Sequence, residues 1–283
     1  MKNSNLDAAR SGGRLTTRKT AVSDSLEEIR SAVPNIDRIK VANVIVGAGY
    51  TGVSLPSGHV GLAHSLLSEQ VPGCCELVKR AGYLAGSSAL ELARLALSWN
   101  IRSRVVGVAT LNALSQMCLT TYANRISTRK GDIVDHLTVK GDIVAVVGNM
   151  GPTVKKLRAR AKKVYVLERN SDLRDDDTLP DTAVEEVIPE SNVVLITGTS
   201  IVNGTLDRLL ELSRNAKEVA LVGATAGLLP TILFKHGATA VGTIKVTNVD
   251  RVMRIIAEGG GTPSFADAVE FVVYKPVPRA GEV

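Results

Sequence analysis

Residues 142–168 read DIVAVVGNMGPTVKKLRARAKKVYVLE, and the fold follows from how this stretch alternates. Asp142 to Gly148 is short, apolar and rich in valine, the mark of a strand buried on both faces. Pro152 to Ala161 has helical spacing, with its proline at the first turn, where a missing N–H costs nothing. Lys163 to Glu168 is a second buried strand. Strand, helix and strand in this order make a crossover unit, and strands joined this way run parallel.

Outward toward the C-terminus the alternation continues. Strands are expected at Asn192–Thr197, Glu218–Gly223, Ala238–Lys245 and Val269–Tyr274. Helices are expected at Leu206–Arg214, Leu228–Lys235 and Asn248–Glu258, the last capped by Asn248 or Asp250. Such a series implies a Rossmann-like, doubly wound, mostly parallel sheet with helices on both faces.

Toward the N-terminus the pattern is different. A short helix at Ser25–Val33 stops at Pro34. Ile39–Val46 reads as a strand, Gly47–Gly52 as a turn or bulged hairpin and Gly58–Leu67 as a second strand. Ser87–Trp99 is an amphipathic helix with Leu92, Leu95, Ala96 and Trp99 inward, and Val105–Leu119 a more buried one. Strands followed by helices are an α+β arrangement. The expected organisation is a basic tail over residues 1–20, an α+β domain over 21–135 and the doubly wound domain over 136–283.

Bulk properties narrow the partners. A chain of 283 residues has length for about two domains. Only 3% of residues are aromatic, which argues against a single-strand nucleic-acid binder built on stacked rings. The first twenty residues hold Lys2, Arg10, Arg14, Arg18 and Lys19 against Asp7 alone. Most of the net charge of +6 therefore sits in a tail read as disordered, and nucleic acid is not the expected partner. The N-terminus lacks an apolar signal segment, and three cysteines make no disulfide framework, so a cytoplasmic location is expected. The uncharged stretches Val41–Ser68 and Val105–Asn124 are broken by glycines or polar residues, so no membrane span is expected. A homodimer is compatible with all of this, without a recognisable interface.

Candidate chemistry gathers at strand ends. Gly148-Asn149-Met150-Gly151 joins the first strand to a helix N-terminus, where free N–H groups face outward. Glu168 ends the next strand at the spacing of an acidic ribose-binding residue. The loop, however, is not GxGxxG, and Pro152 removes one donor. Thr197-Gly198-Thr199 with Asn203 follows the third strand, and Gly223-Ala224-Thr225 the fourth. All three loops belong on the carboxyl edge, where open α/β sheets bind ligands. Turn chemistry alone would select the same residue types at any one of them. Histidines at 59, 64, 136 and 236 have no metal-ligand spacing, Cys74-Cys75 is a vicinal pair, and Asp175-Asp176-Asp177 reads as a solvated run.

The segments VVGNMGPTVKKL, VYVLERN, DTAVEEVIPESNVVLITGTSIVNGTLDRLL, VALVGATAGLLPTILFKHG and VTNVDRVMRIIAEGGGT resemble, in this order, a family described as putative heavy-metal chelation. HVGLAHSL, AGYLAGSSALELARLALSWN and VVGVATLNALS resemble its front domain. The resemblance implies an enolase-N-terminal-like domain followed by a Rossmann-like one, with a ligand between them. It places Thr51 and Asn112 at that ligand from the front, and Asn149, Glu168, Thr197, Thr199, Asn203 and Thr225 from the back. The expected ligand is a small polar molecule, with a heavy metal or metal complex admitted. The competing reading is an enzyme using NAD, S-adenosylmethionine or ATP through the Gly148–Gly151 loop and Glu168.

Overall fold

The computed structural model describes residues 19–70, 78 and 80–277. Cys74, Cys75 and the expected tail up to residue 18 lie outside these. Thr20 opens helix α1 (Ala21–Ala32) with a capping box. Its hydroxyl accepts the Ser23 N–H, and the Ser23 hydroxyl accepts the Thr20 N–H.

Strands β1 (Asn43–Val46), β2 (Tyr50–Ser54) and β3 (Val60–His64) form an antiparallel sheet in that order. The turn or bulged hairpin expected over Gly47–Gly52 is, from Tyr50 on, strand β2, whose Gly52 reads in sequence as a breaker. Here the glycine is a packing requirement, since a Cβ would lie 2.7 Å from the Ile256 side chain. Helix α2 (Ala89–Arg94) passes into a 3-10 turn at Leu95–Leu97. The helix expected to reach Trp99 stops early because the Asn100 side chain accepts the Ser103 N–H and starts α3 (Ile101–Cys118). Trp99, expected inward, is 88% exposed.

The remaining elements, in chain order, are β4 (Ile126–Lys130), β5 (Ile143–Val147), α4 (Gly151–Arg158), β6 (Lys163–Glu168) and β7 (Thr178–Pro180). Then come α5 (Val184–Val187), β8 (Val193–Thr197), α6 (Thr199–Asn203), α7 (Leu206–Leu212) and β9 (Glu218–Val222). Last are α8 (Pro230–Lys235), β10 (Ala240–Val246), α9 (Val249–Ala257) and β11 (Val269–Pro276). They make an eight-stranded sheet ordered β4-β11-β10-β9-β8-β5-β6-β7. The run from β10 to β7 is parallel. β11 lies antiparallel to β10, and β4 antiparallel to β11. β4 precedes the boundary expected at residue 136, yet it hydrogen-bonds into the large sheet. Its Ser127-Thr-Arg-Lys is polar because it lies at the sheet edge, and it offers no apolar run to read.

The chain winds from β5 to β6 to β7, then returns to the other side of β5 for β8, β9 and β10. The strand order therefore reverses between β5 and β8, the point where doubly wound sheets form a crevice.

The two sheets share their core. Residues 105–115 of α3 are all buried, and α3 packs on β3 and β2. On the opposite face, Tyr50, Val60 and Leu62 pack in one cluster with Val252, Met253 and Ile256 of α9. The small sheet is thus held between its own helix and one from the larger part. No helix among the described residues is long and apolar enough to cross a membrane.

Candidate functional site

The twelve residues singled out from sequence separate into two sets. The first is consumed by the structure itself. Asn112 is 1% exposed, and its Nδ2 donates to the carbonyls of Leu62 (2.8 Å) and Thr225 (3.0 Å). The Thr225 hydroxyl accepts the His64 N–H at 2.9 Å. Thr51 is fully buried beside Ser65, whose hydroxyl donates to the Gly47 carbonyl. Asn112 and Thr225 join the two parts of the molecule along a packed seam, while Thr51 is held within the front part. Asn203 Oδ1 accepts the Thr205 N–H and hydroxyl, which is local turn chemistry. At Gly198 a Cβ would lie 2.5 Å from the Ala226 nitrogen, so this glycine serves the approach of two loops to each other. Gly223 is left-handed (φ +113°) with nothing close to its Cβ position, as a tight turn requires.

The second set stays together at the reversal point. Gly148 is left-handed (φ +98°), and a Cβ there would lie 2.9 Å from Thr197 Cβ, so the ends of β5 and β8 touch. The Thr197 and Thr199 hydroxyls are 3.1 Å apart and half-buried. Glu168 Oε2 accepts the Asn149 N–H and Oε1 accepts the Asn170 N–H, both at 2.8 Å. Asn149 is exposed and donates through Nδ2 to the Leu173 carbonyl. Gly151 opens α4 with nothing within 4 Å of its Cβ position. Asn149, Gly151, Glu168, Thr197 and Thr199 therefore form a polar, solvent-reachable rim on the ends of β5, β6 and β8.

Sequence reading missed what the front part brings to this rim. Arg169 Nε lies 3.6 Å from Glu69 and 3.8 Å from Asp181, which bridges the segment after β3 to the end of β6. Burial raises the Glu69 carboxyl above its usual range, and Asp181 and Glu168 nearby add to this, while Arg169 opposes it. The only sequence signal was the position of Arg169 next to Glu168.

His64 stands where the seam meets this edge. Its Nδ1 accepts the Leu66 N–H at 3.1 Å, and its ring meets Tyr50 edge-on at 5.3 Å. Burial holds its pKa below the ordinary histidine value. The fold therefore favours neutral His64. The stability it contributes is complete above about pH 6.5, the unfolded-state value, and falls as pH drops below that. His64→Asn, which keeps an acceptor near the Leu66 N–H, is expected to flatten the fall in melting temperature between pH 7 and 5. An unchanged acid slope would remove His64 as its source.

A metal is poorly served. Among the described residues no group of three or more His, Cys, Asp or Glu is placed to hold one. Cys118 is buried, which pushes its thiol pKa up to about 12. The two oxygens of Glu168 already hold backbone N–H groups.

Residues 132–275 match a family model described as putative heavy-metal chelation, and residues 29–115 match a second with the same description. A relative from Methanocaldococcus jannaschii, itself an uncharacterized protein, is 36% identical over 166 residues. That match covers 58% of this chain, and the chain spans 62% of the length of that curated relative. The crystal structure of a protein of unknown function from Pyrococcus horikoshii is similar with a TM-score of 0.77 at 28% identity, covering 91% of this chain and all of that one. A second, from Desulfitobacterium hafniense, has a TM-score of 0.73 at 25% identity, covering 90% of this chain and 98% of that one.

Proposed function

Because the chain belongs to the DUF364 family, described as putative heavy-metal chelation, we propose that it binds a small polar molecule, free or as a metal complex, on the rim between β5 and β8. The observation that carries this reading is the reversal of strand order at that point, with five polar or glycine positions gathered there. Thr197 and Thr199 offer two hydroxyls that donate and accept, and Asn149 an amide, so the rim suits a ligand with hydroxyl, carbonyl or carboxylate groups. The ligand lies across the edge, with the Glu69–Arg169 bridge at its side, and the packed seam below forms the floor.

A bare heavy-metal ion fits less well. Soft ions select thiolate and imidazole ligands, and the described residues assemble no such set. The metal of the family description is therefore read as arriving inside an organic complex, or as belonging to the ligand's chemistry elsewhere.

The nucleotide reading loses ground on one contact. The Glu168 carboxylate sits 2.8 Å from the Asn149 N–H, where a phosphate on this loop would have to sit. That N–H, ahead of the Met150 N-cap of α4, is therefore not free to hold a phosphate.

Native mass spectrometry on protein purified without oxygen tests the proposal. A retained adduct is expected, lost or reduced at least tenfold in Thr197→Val, which keeps the shape and removes the hydroxyl. A bare mass, both as purified and after incubation with a small-molecule cell extract, would overturn it.

A further inference from the structure

The connection from β6 to β7 runs only from Arg169 to Asp177 and contains one 3-10 turn, Ser171–Leu173. Parallel neighbours are usually joined by a dozen or more residues, most often a helix packed on the sheet. α4 covers Val166 of β6 on this face, and with no helix in the connection a notch is left between α4 and β7. A cavity of about 220 Å³ lies there. Its floor is Val166 of β6 and its register partner Thr178 of β7, which share one face with Glu168. One end is closed by Asn149 and Gly151, so the notch opens directly onto the rim.

Its walls are charged. Lys155 and Arg158 stand three residues apart on α4 and line the same side. Arg158 faces Asp177 at 3.6 Å. Lys156, on the other side of α4, and Arg160, just past its end, are taken by Asp132 and Asp135. Lys155 has no ion-pair partner among the described residues. Across the notch, the Asp175 carboxylate accepts the Thr178 hydroxyl. The cavity has room for about seven waters at about 30 Å³ each, less than the roughly 300 Å³ at which pockets for whole drug-sized ligands begin.

We propose that this notch takes the anionic end, a carboxylate or phosphate, of the ligand whose body lies on the rim. The inference rests on the rim reading and adds the ligand class: an elongated polar acid, with its charge about one helical turn from the strand ends. Lys155 supplies the free positive charge and Arg158 a planar donor, and Asp175 receives a hydroxyl or amine of the same ligand.

Inorganic phosphate and citrate serve as probes, titrated by calorimetry at low ionic strength, where charge contributes most. One of the two is expected to bind, and which one does assigns the head group. Lys155→Ala should weaken it at least fivefold with an unchanged melting temperature, because the side chain is exposed and unpaired. Asp175→Asn should tighten it, since a repelling charge is removed while the acceptor for Thr178 remains. Thr197→Val should leave it unchanged, because the rim is not contacted by these short probes. Absence of binding for both anions, or equal binding by Lys155→Ala, overturns the notch. A zinc ion held by the protein and lost in Asp175→Asn would reverse the sign of the site and overturn it too. Failure of the rim alone looks different: phosphate or citrate still binds, while Thr197→Val keeps the natural ligand.

Discussion

Gly61→Ala should lower the melting temperature by about 6–12 °C or more, whereas Gly151→Ala should change it little. At Gly61 of β3 a Cβ would lie 2.0 Å from the Ala109 carbonyl oxygen, 2.2 Å from the Ala113 nitrogen and 2.8 Å from the Asn112 carbonyl carbon. All three atoms are backbone of α3, so no side chain can turn aside. The helix would have to lift off the sheet along the face where the core is tightest, and residues 105–115 would lose their packing. Overpacking of a filled core costs about 1–3 kcal/mol and more where nothing yields. We take at least about 3 kcal/mol, at about 2–4 °C for each. Gly151 has no atom within 4 Å of its Cβ position and an ordinary φ. Differential scanning calorimetry on both variants decides the matter. A wild-type melting temperature for Gly61→Ala would mean that α3 does not sit this close to β3.

Asn112→Asp should be the second large loss, and its size should depend on pH. The two residues have nearly the same shape, so packing is conserved and only donors change. Asn112 Nδ2 gives one hydrogen to Leu62 in the small sheet and one to Thr225 in the loop after β9. A carboxylate in that place would direct negative charge at two carbonyl oxygens, without water. Each buried acceptor left unpaired costs about 1–3 kcal/mol, and an unpaired charge more. The fold would therefore favour the protonated acid, and the folded-state pKa would rise above the unfolded value of about 3.9. Below that value both states are protonated and the charge penalty vanishes. Above it, stability falls by about 1.4 kcal/mol per pH unit until the folded pKa is reached. Melting temperatures between pH 4 and 8 should thus diverge steadily from wild type. If Asn112 served the ligand instead, this variant would keep its melting temperature and lose only binding.

The sequence carried a good deal of the larger part. Lys163–Glu168 is a strand with the bounds read from it, because a run of alternating valines between a helix and a polar loop admits few other states. Asn248 caps α9 as its residue type predicts, its side chain accepting the Arg251 N–H. The placement of the three polar loops on one edge followed from parallel topology alone. At β2, β4 and β7 the local signal failed. Each is short, and each holds residues selected by something distant: Gly52 by Ile256, and β4 and β7 by their places at the two edges of the sheet.

By itself, then, the sequence determined the alternation of strands and helices, the mostly parallel sheet and the edge on which polar residues collect. Each is a property of periodicity over ten or twenty residues, and periodicity is local. Tertiary structure decided which of those residues are free to meet a ligand. Asn112 and Thr225 look like ligand groups until Leu62 and His64 are seen to occupy them, from positions 50 and 161 residues away. Glu168 looks like an open carboxylate until the Asn149 N–H turns onto it. A buried polar group must be satisfied by something, and only the fold says whether that partner is a neighbouring chain segment or a molecule from outside.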